Sequence, residues 1–207
     1  MSPSLSNPLV DQYRRYRTAS KKLNSKILEA VMNETVLETA GRDLNFGKDK
    51  RLIFDNESEP DVLMDYVLYE IPQEGRTLIA RYTIERGGSN RIERDLLEAM
   101  LNAKTGLFRV EEVFASRYRL NLQEIIDGDR RLSMIDINFS QYPAKDCVLF
   151  FRPIELPDFT MTSGISFVFP PKMEQELLKQ WVQRDRAECY VKYFKLHKSK
   201  GIQEEYR

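Results

Sequence analysis

A chain of 207 residues with 42% hydrophobic and 11% aromatic side chains has enough apolar material for one sizeable core, which excludes an intrinsically disordered protein. Its 32 basic and 32 acidic residues cancel to zero net charge, removing the whole-molecule field expected of a dedicated binder of nucleic acid or anionic membrane. No apolar run approaches the ~20 residues needed to cross a bilayer, and the opening residues Met1 to Pro8 lack the basic and apolar regions of a leader, so the expectation is a cytoplasmic protein with no membrane partner.

The charges are unevenly placed. Residues 1–32 carry Arg14, Arg15, Arg17, Lys21, Lys22 and Lys26 against Asp11 and Glu29, whereas residues 33–71 hold ten acids against four bases. Pairing between these two stretches is expected. Within the first, Leu9, Tyr13, Tyr16, Leu23, Ile27 and Val31 recur at three-to-four spacing, predicting an amphipathic helix from Pro8 to Met32. Asn33 caps a shorter second helix through Val36, Leu37 and Ala40, and Pro60 opens a third through Val62, Leu63, Tyr66 and Val67. Thr77 to Ile84 satisfies helical spacing while its Tyr-Thr-Ile tail favours a strand, so both assignments stay open until Gly87-Gly88 ends the segment. Asn90 with Glu93 forms a capping box for a helix whose buried stripe is Ile92, Leu96, Leu97, Met100 and Leu101.

After Gly106 the pattern changes to five β-branched or aromatic runs: Leu107–Phe114, Tyr118–Leu122, Arg131–Phe139, Cys147–Ile154 and Met161–Phe169. Brief connections such as Asp127-Gly128-Asp129 and Ser163-Gly164 predict antiparallel pairing, in a small sheet or a barrel that removes its own edges. Pro170-Pro171 stops the last strand. Helical spacing returns with Leu177, Leu178 and Trp181, lapses across Gln183 to Glu188, and resumes at Tyr190, Tyr193 and Phe194 before a basic end from Lys192 to Lys200. The fold class is therefore α+β in a single domain over 1–207: a mainly helical part over 1–103, a β part over 107–170 and a C-terminal helix over 172–200.

Several segments also carry a resemblance. Asp65-Tyr-Val-Leu-Tyr69, Gly75-Arg-Thr-Leu-Ile-Ala-Arg-Tyr82, Glu93 to Met100, Gly106 to Val110, Leu122 to Gly128 and Asp146 to Arg152 follow one another in an order that resembles an uncharacterised bacterial protein region sometimes found upstream of a SEC-C-type zinc motif. It spans roughly Val62 to Pro171, about half of the chain. The resemblance implies a compact helical-plus-barrel module and names no activity. The zinc motif itself needs clustered cysteines, and the C-terminal part offers only Cys189 and His197, so no metal ligand carries over.

Chemistry has few footholds. His197 is the sole histidine and sits in a Lys-rich segment, so any Ser-His-Asp or Cys-His mechanism would have to use it, and it reads instead as a solvated or helix-terminal residue; Cys147 and Cys189 read as buried free thiols. The nine glycines form no dinucleotide or phosphate-loop pattern. The acids Asp55, Glu57, Glu59 and Asp61 depart from a calcium loop because Pro60 stands where glycine is needed. Asp65 and Asp136 lie in apolar settings and read as cap, turn or ion-pair residues. No catalytic residue, metal ligand or cofactor is singled out, and the expectation is a non-enzymatic protein-interaction or structural module, with an unknown protein or a second copy as partner. Trp181, Tyr190, Tyr193 and Phe194 are its candidate aromatic anchors. The alternatives are an enzyme without a recognisable motif, or a nucleic-acid binder using Arg14, Arg15, Arg17, Lys21 and Lys22 together with barrel residues Phe108, Arg109, Arg117, Tyr118 and Arg119.

Overall fold

A computed structural model describes residues 7–48, 51–126, 128, 130–142, 144–181 and 186–202. The turn residues Asp127 and Asp129, and the start of the polar lapse at residues 183–185, lie outside the described residues. Helix α1 (Pro8–Val31) begins where Asn7 Oδ1 accepts from the Leu9 amide at 3.1 Å, and it buries Tyr13, Tyr16, Leu23 and Ile27 as its spacing requires. Asn33 caps α2 (Glu34–Asp43) by accepting from Val36 N at 3.0 Å. A hairpin of two-residue strands, β1 (Gly47–Lys48) and β2 (Arg51–Leu52), follows; runs that short carry no periodicity in the sequence. Helix α3 (Glu59–Tyr69) has Pro60 in its first turn.

The ambiguous segment is helix α4 (Leu78–Glu85). Thr77 Oγ1 accepts from Ala80 N at 3.3 Å, and this cap, with Leu78, Ile79 and Tyr82 buried on one face, outweighs the strand propensity of the Tyr-Thr-Ile tail. Gly87, at φ 65°, closes the helix. Gly88 admits no side chain, because a Cβ there would stand 2.6 Å from Arg94 N. Helix α5 (Arg91–Asn102) opens on the expected box: Asn90 accepts from Glu93 N at 3.0 Å, while the Glu93 carboxylate reaches back to Ser89 N at 2.9 Å.

Five strands then close a barrel in the order β3-β4-β5-β7-β6: β3 (Gly106–Phe114), β4 (Arg119–Glu124), β5 (Arg131–Ile135), β6 (Val148–Glu155) and β7 (Thr160–Phe169). The barrel is mixed, which corrects the all-antiparallel expectation. Since β4 opposes β3, β5 opposes β4, β6 opposes β3 and β7 opposes β6, direction alone makes β5 and β7 parallel, and they meet at Met134 and Thr160. Strand β5 stops at Ile135, short of the expected Phe139, because Asp136 Oδ1 accepts from Phe139 N at 2.9 Å and turns the chain.

Alternation sorts the side chains. Phe108, Val110, Leu120, Leu122, Leu132, Met134, Leu149, Phe151 and Val168 fill the barrel interior as one cluster. Val148, Phe150, Ile154, Phe167 and Phe169 face outward into a second core shared with the helices, including α6 (Glu174–Gln180) and α7 (Arg186–Lys200). Strand β6 is thus buried on both faces, whereas β4 and β5 present Arg119, Asn121, Gln123, Arg131 and Ser133 half or fully exposed.

The two oppositely charged stretches find their partners elsewhere. Among the described residues, no ion pair joins 7–32 to 33–71. Lys26 reaches Glu93 on α5 instead, and the acids Asp55, Glu59, Asp65 and Glu70 are answered from β6 and α7. Chain order placed the partners elsewhere, because α4 and α5 pack beside α1.

Candidate functional site

The aromatic residues of α7 are inside. Tyr193 stacks on Phe150 with ring centroids 4.5 Å apart, Tyr190 meets Phe167 at 5.5 Å and Phe194 meets the same ring at 5.8 Å. Both phenols are satisfied within the chain, Tyr190 donating to Val62 O at 3.2 Å and Tyr193 to Leu177 O at 2.6 Å, and burial pushes both pKa values up. Tyr190, Tyr193 and Phe194 are at most 3% exposed, so in this fold these three rings seat α7 against β6 and β7. Trp181, at the end of α6, remains half-buried 6.2 Å from Tyr193.

The basic residues of α1 have a different arrangement. Arg17 turns toward the barrel, where Nη1 donates to Thr162 O at 2.8 Å and Nη2 to Thr162 Oγ1 at 3.0 Å. Arg14, Arg15, Lys21 and Lys22 remain exposed. Arg14 is 3.2 Å from Asp11, whereas Arg15, Lys21 and Lys22 have no acidic partner among the described residues. Arg14, Arg15 and Lys22 line a groove of about 540 Å³ between α1 and the start of α5, over a floor of Ala19 and Ile92. Its one carboxylate, Glu93, is committed: Lys26 Nζ lies 2.5 Å away and Ser89 donates from both N and Oγ. The hydrogen bond from Lys26, then those from Ser89, hold the Glu93 carboxyl down to about 2. The groove is therefore apolar at its floor and cationic at its rim.

The barrel residues fall apart as a set. Phe108 lies in the interior, Tyr118 is half-buried, and Arg109 is held by Glu174 of α6, its Nε 2.8 Å from Oε2. Arg117 and Arg119 stay accessible without an acidic partner among the described residues.

Sequence reasoning allowed Asp65 an ion pair but missed the buried cluster it belongs to. Arg152, 2% exposed on β6, reaches Glu70 at 2.6 Å and Asp65 at 3.6 Å, and its guanidinium lies 4.0 Å from the Tyr69 ring centre. Burial works to lower the Arg152 pKa, but the two carboxylates outweigh it and raise the value. The available signal was an arginine inside the apolar run Phe150-Phe151-Arg152-Pro153-Ile154, which has no reason to be there unless acids face it. Cys147 and Cys189 are both buried and outside any disulfide, and among the described residues no cluster of three or more metal-ligating side chains forms.

Comparison with known proteins adds one finding. A family of unknown function, DUF7986, matches residues 7–207. The chain belongs to that family. No curated protein and no solved structure matches it. The DUF7986 match covers the α1–α5 groove, the barrel and α7 together, and it carries no link to a SEC-C motif.

Proposed function

We propose that this DUF7986 chain is a protein-interaction module that seats an acidic, amphipathic helical segment of a partner in the groove between α1 and α5. The observation that carries this reading is the pairing of an apolar floor, Ala19 and Ile92, with a cationic rim on which Glu93 is already paired with Lys26 and Asp11 answers Arg14 alone. An apolar floor takes one stripe of a helix, and uncompensated cations select acids flanking that stripe. Among the described residues no acid pairs with Arg15 and Lys22 on the groove or with Lys21 beside it, so their charge is available to a partner. A fluorescent peptide of alternating leucine and glutamate stripes at helical spacing is expected to bind the wild-type chain at low salt and to weaken as salt rises. Reversing Arg15, Lys21 and Lys22 to glutamate is expected to weaken binding by at least about tenfold, roughly 1.4 kcal/mol. Undiminished binding by that variant would remove the groove from consideration.

A second reading rests on strand order. Counted within the barrel, the strands run 1-2-3-5-4 with the third and fifth parallel, the arrangement of oligonucleotide-binding barrels, whose second and third strands form the ligand face. Here that face is β4 and β5, bearing Arg119 and Arg131. The support is analogy of fold. Salt-sensitive binding of labelled single-stranded oligonucleotides, lost in an Arg117→Ala/Arg119→Ala variant and kept in the α1 variant, would favour it.

A further inference from the structure

Among the described residues, strand β7 is paired with other strands along only one edge for most of its length. Toward β6 its ladder runs from Phe169 opposite Val148 to Thr160 opposite Glu155. Toward β5 it has a single register position, Thr160 opposite Met134, after which the chain turns away at Asp136. Beyond Thr162 that second edge opens on a cleft of about 570 Å³, walled by the Asp136–Phe139 turn, the loop entering α3 and the end of α7.

Alternation decides what the edge presents. The Val168 carbonyl accepts from Ile202 N at 2.8 Å, which places it on the side away from β6. Successive peptide groups of a strand point to opposite sides, so Ser166, two residues earlier, turns its own N–H and C=O the same way. Neither has a hydrogen-bond partner among the described residues. The residue is half-exposed, as are Ser163 and Ile165 in the bulge opposite Arg152, where Gly164 adopts φ 134°. Ile202 shows what suits this edge, since its amide occupies one position of it already.

We propose that the free edge of β7, centred on Ser166, receives an extended, basic peptide segment of a partner protein as an added strand. Only an extended backbone supplies donors and acceptors at the ~6.8 Å spacing of every second residue. Phe139, Ile165 and Phe194 give the cleft apolar walls for one face of such a strand. Charge selects the other face. Asp136, Glu57 and Glu59 border the cleft beside Asp55, while Lys198 is held by Asp55 at 2.6 Å and Glu59 at 2.7 Å, leaving an acidic excess that favours lysine or arginine on the incoming segment. This surface is separate from the α1–α5 groove, and neither reading depends on the other.

The test is an array of blocked octapeptides in which lysine alternates with valine, isoleucine, leucine, phenylalanine, tyrosine or threonine, read by fluorescence against the full chain. At least one lysine peptide is expected to bind about tenfold or more tighter than its glutamate counterpart, and N-methylation of alternate amides is expected to abolish binding. Amide hydrogen exchange at Ser166 is expected to slow when the peptide is present. Ser166→Pro, which removes the edge N–H, is expected to lose the peptide while Ser166→Ala keeps it. Should Ser166→Pro fail to fold, the N-methylated peptides and the exchange data decide the matter. Absence of binding across the array, binding indifferent to N-methylation, or protection confined to residues outside β7 would each overturn the proposal. Reversing Arg15, Lys21 and Lys22 leaves the expected result unchanged, so the two surfaces fail or succeed separately.

Discussion

His197 packs between rings, 5.3 Å from Phe167 and 5.7 Å from Phe169, with Nε2 3.1 Å from Ile202 O. Burial lowers its pKa below the ordinary 6.5, and the carbonyl of Ile202 offsets only part of that. The folded state therefore binds a proton on this ring less readily than the unfolded chain does. Its contribution to stability is fully present above pH 6.5 and is lost as pH falls through that value toward the lower folded-state pKa. As the sole histidine, its ring signal needs no assignment by mutation, and a proton NMR titration is expected to place its midpoint below 6.5. A midpoint at or above that value would contradict the packing. Residue identity announced some of these local facts and hid others. Asn33, Asn90 and Glu93 were legible as caps because capping is a contact over three residues. Arg152 was not, since its acids lie more than eighty residues away on α3 and at its end.

The pairing of α3 with β6 turns on that arginine. Asp65 and Glu70 approach from the helix side, Arg152 rises from the strand, and Tyr69 covers the guanidinium. Arg152→Leu would leave two carboxylates buried without a cation, and urea denaturation is expected to show a loss of about 3–5 kcal/mol. Adding Asp65→Asn and Glu70→Gln to the same chain is expected to recover part of that loss, because the desolvated charges then disappear. A single variant as stable as wild type would mean that the cluster is neutralised some other way. At this scale the sequence was most informative where one face of an element is buried: α1, α2 and α5 follow their apolar stripes, except that Leu101, expected in the buried stripe of α5, is 45% exposed in the last turn of that helix. It was least informative for direction. Nothing local distinguishes a parallel partner from an antiparallel one, so β5 and β7 became readable only once the whole circuit of strands was counted. The aromatic candidates on α7 show a related blindness, because a helix packed on a barrel and a helix offered to a partner display the same spacing.

Across the whole molecule, one apolar cluster runs from Tyr13 on α1 through α3, α4 and α5 to the outer faces of β6 and β7 and on to Phe194. The barrel interior is the smaller store, separated from that cluster only by the thickness of its own strands. Helices and barrel are therefore expected to unfold together. Far-UV circular dichroism and Trp181 fluorescence should give coincident urea transitions, and two resolved steps would instead divide the chain into independent units. The alternation of buried and exposed positions made this core legible in outline, whereas the grooves on its surface depend on which helices become neighbours. The seam between β5 and β7 has a mechanical consequence. Every other joint of the cylinder is held by several register pairs, but this one is held by Met134 and Thr160. Under a load that pulls the strands sideways, the wall has one line of weakness, and it runs along the side where β7 has no neighbouring strand among the described residues past Thr160.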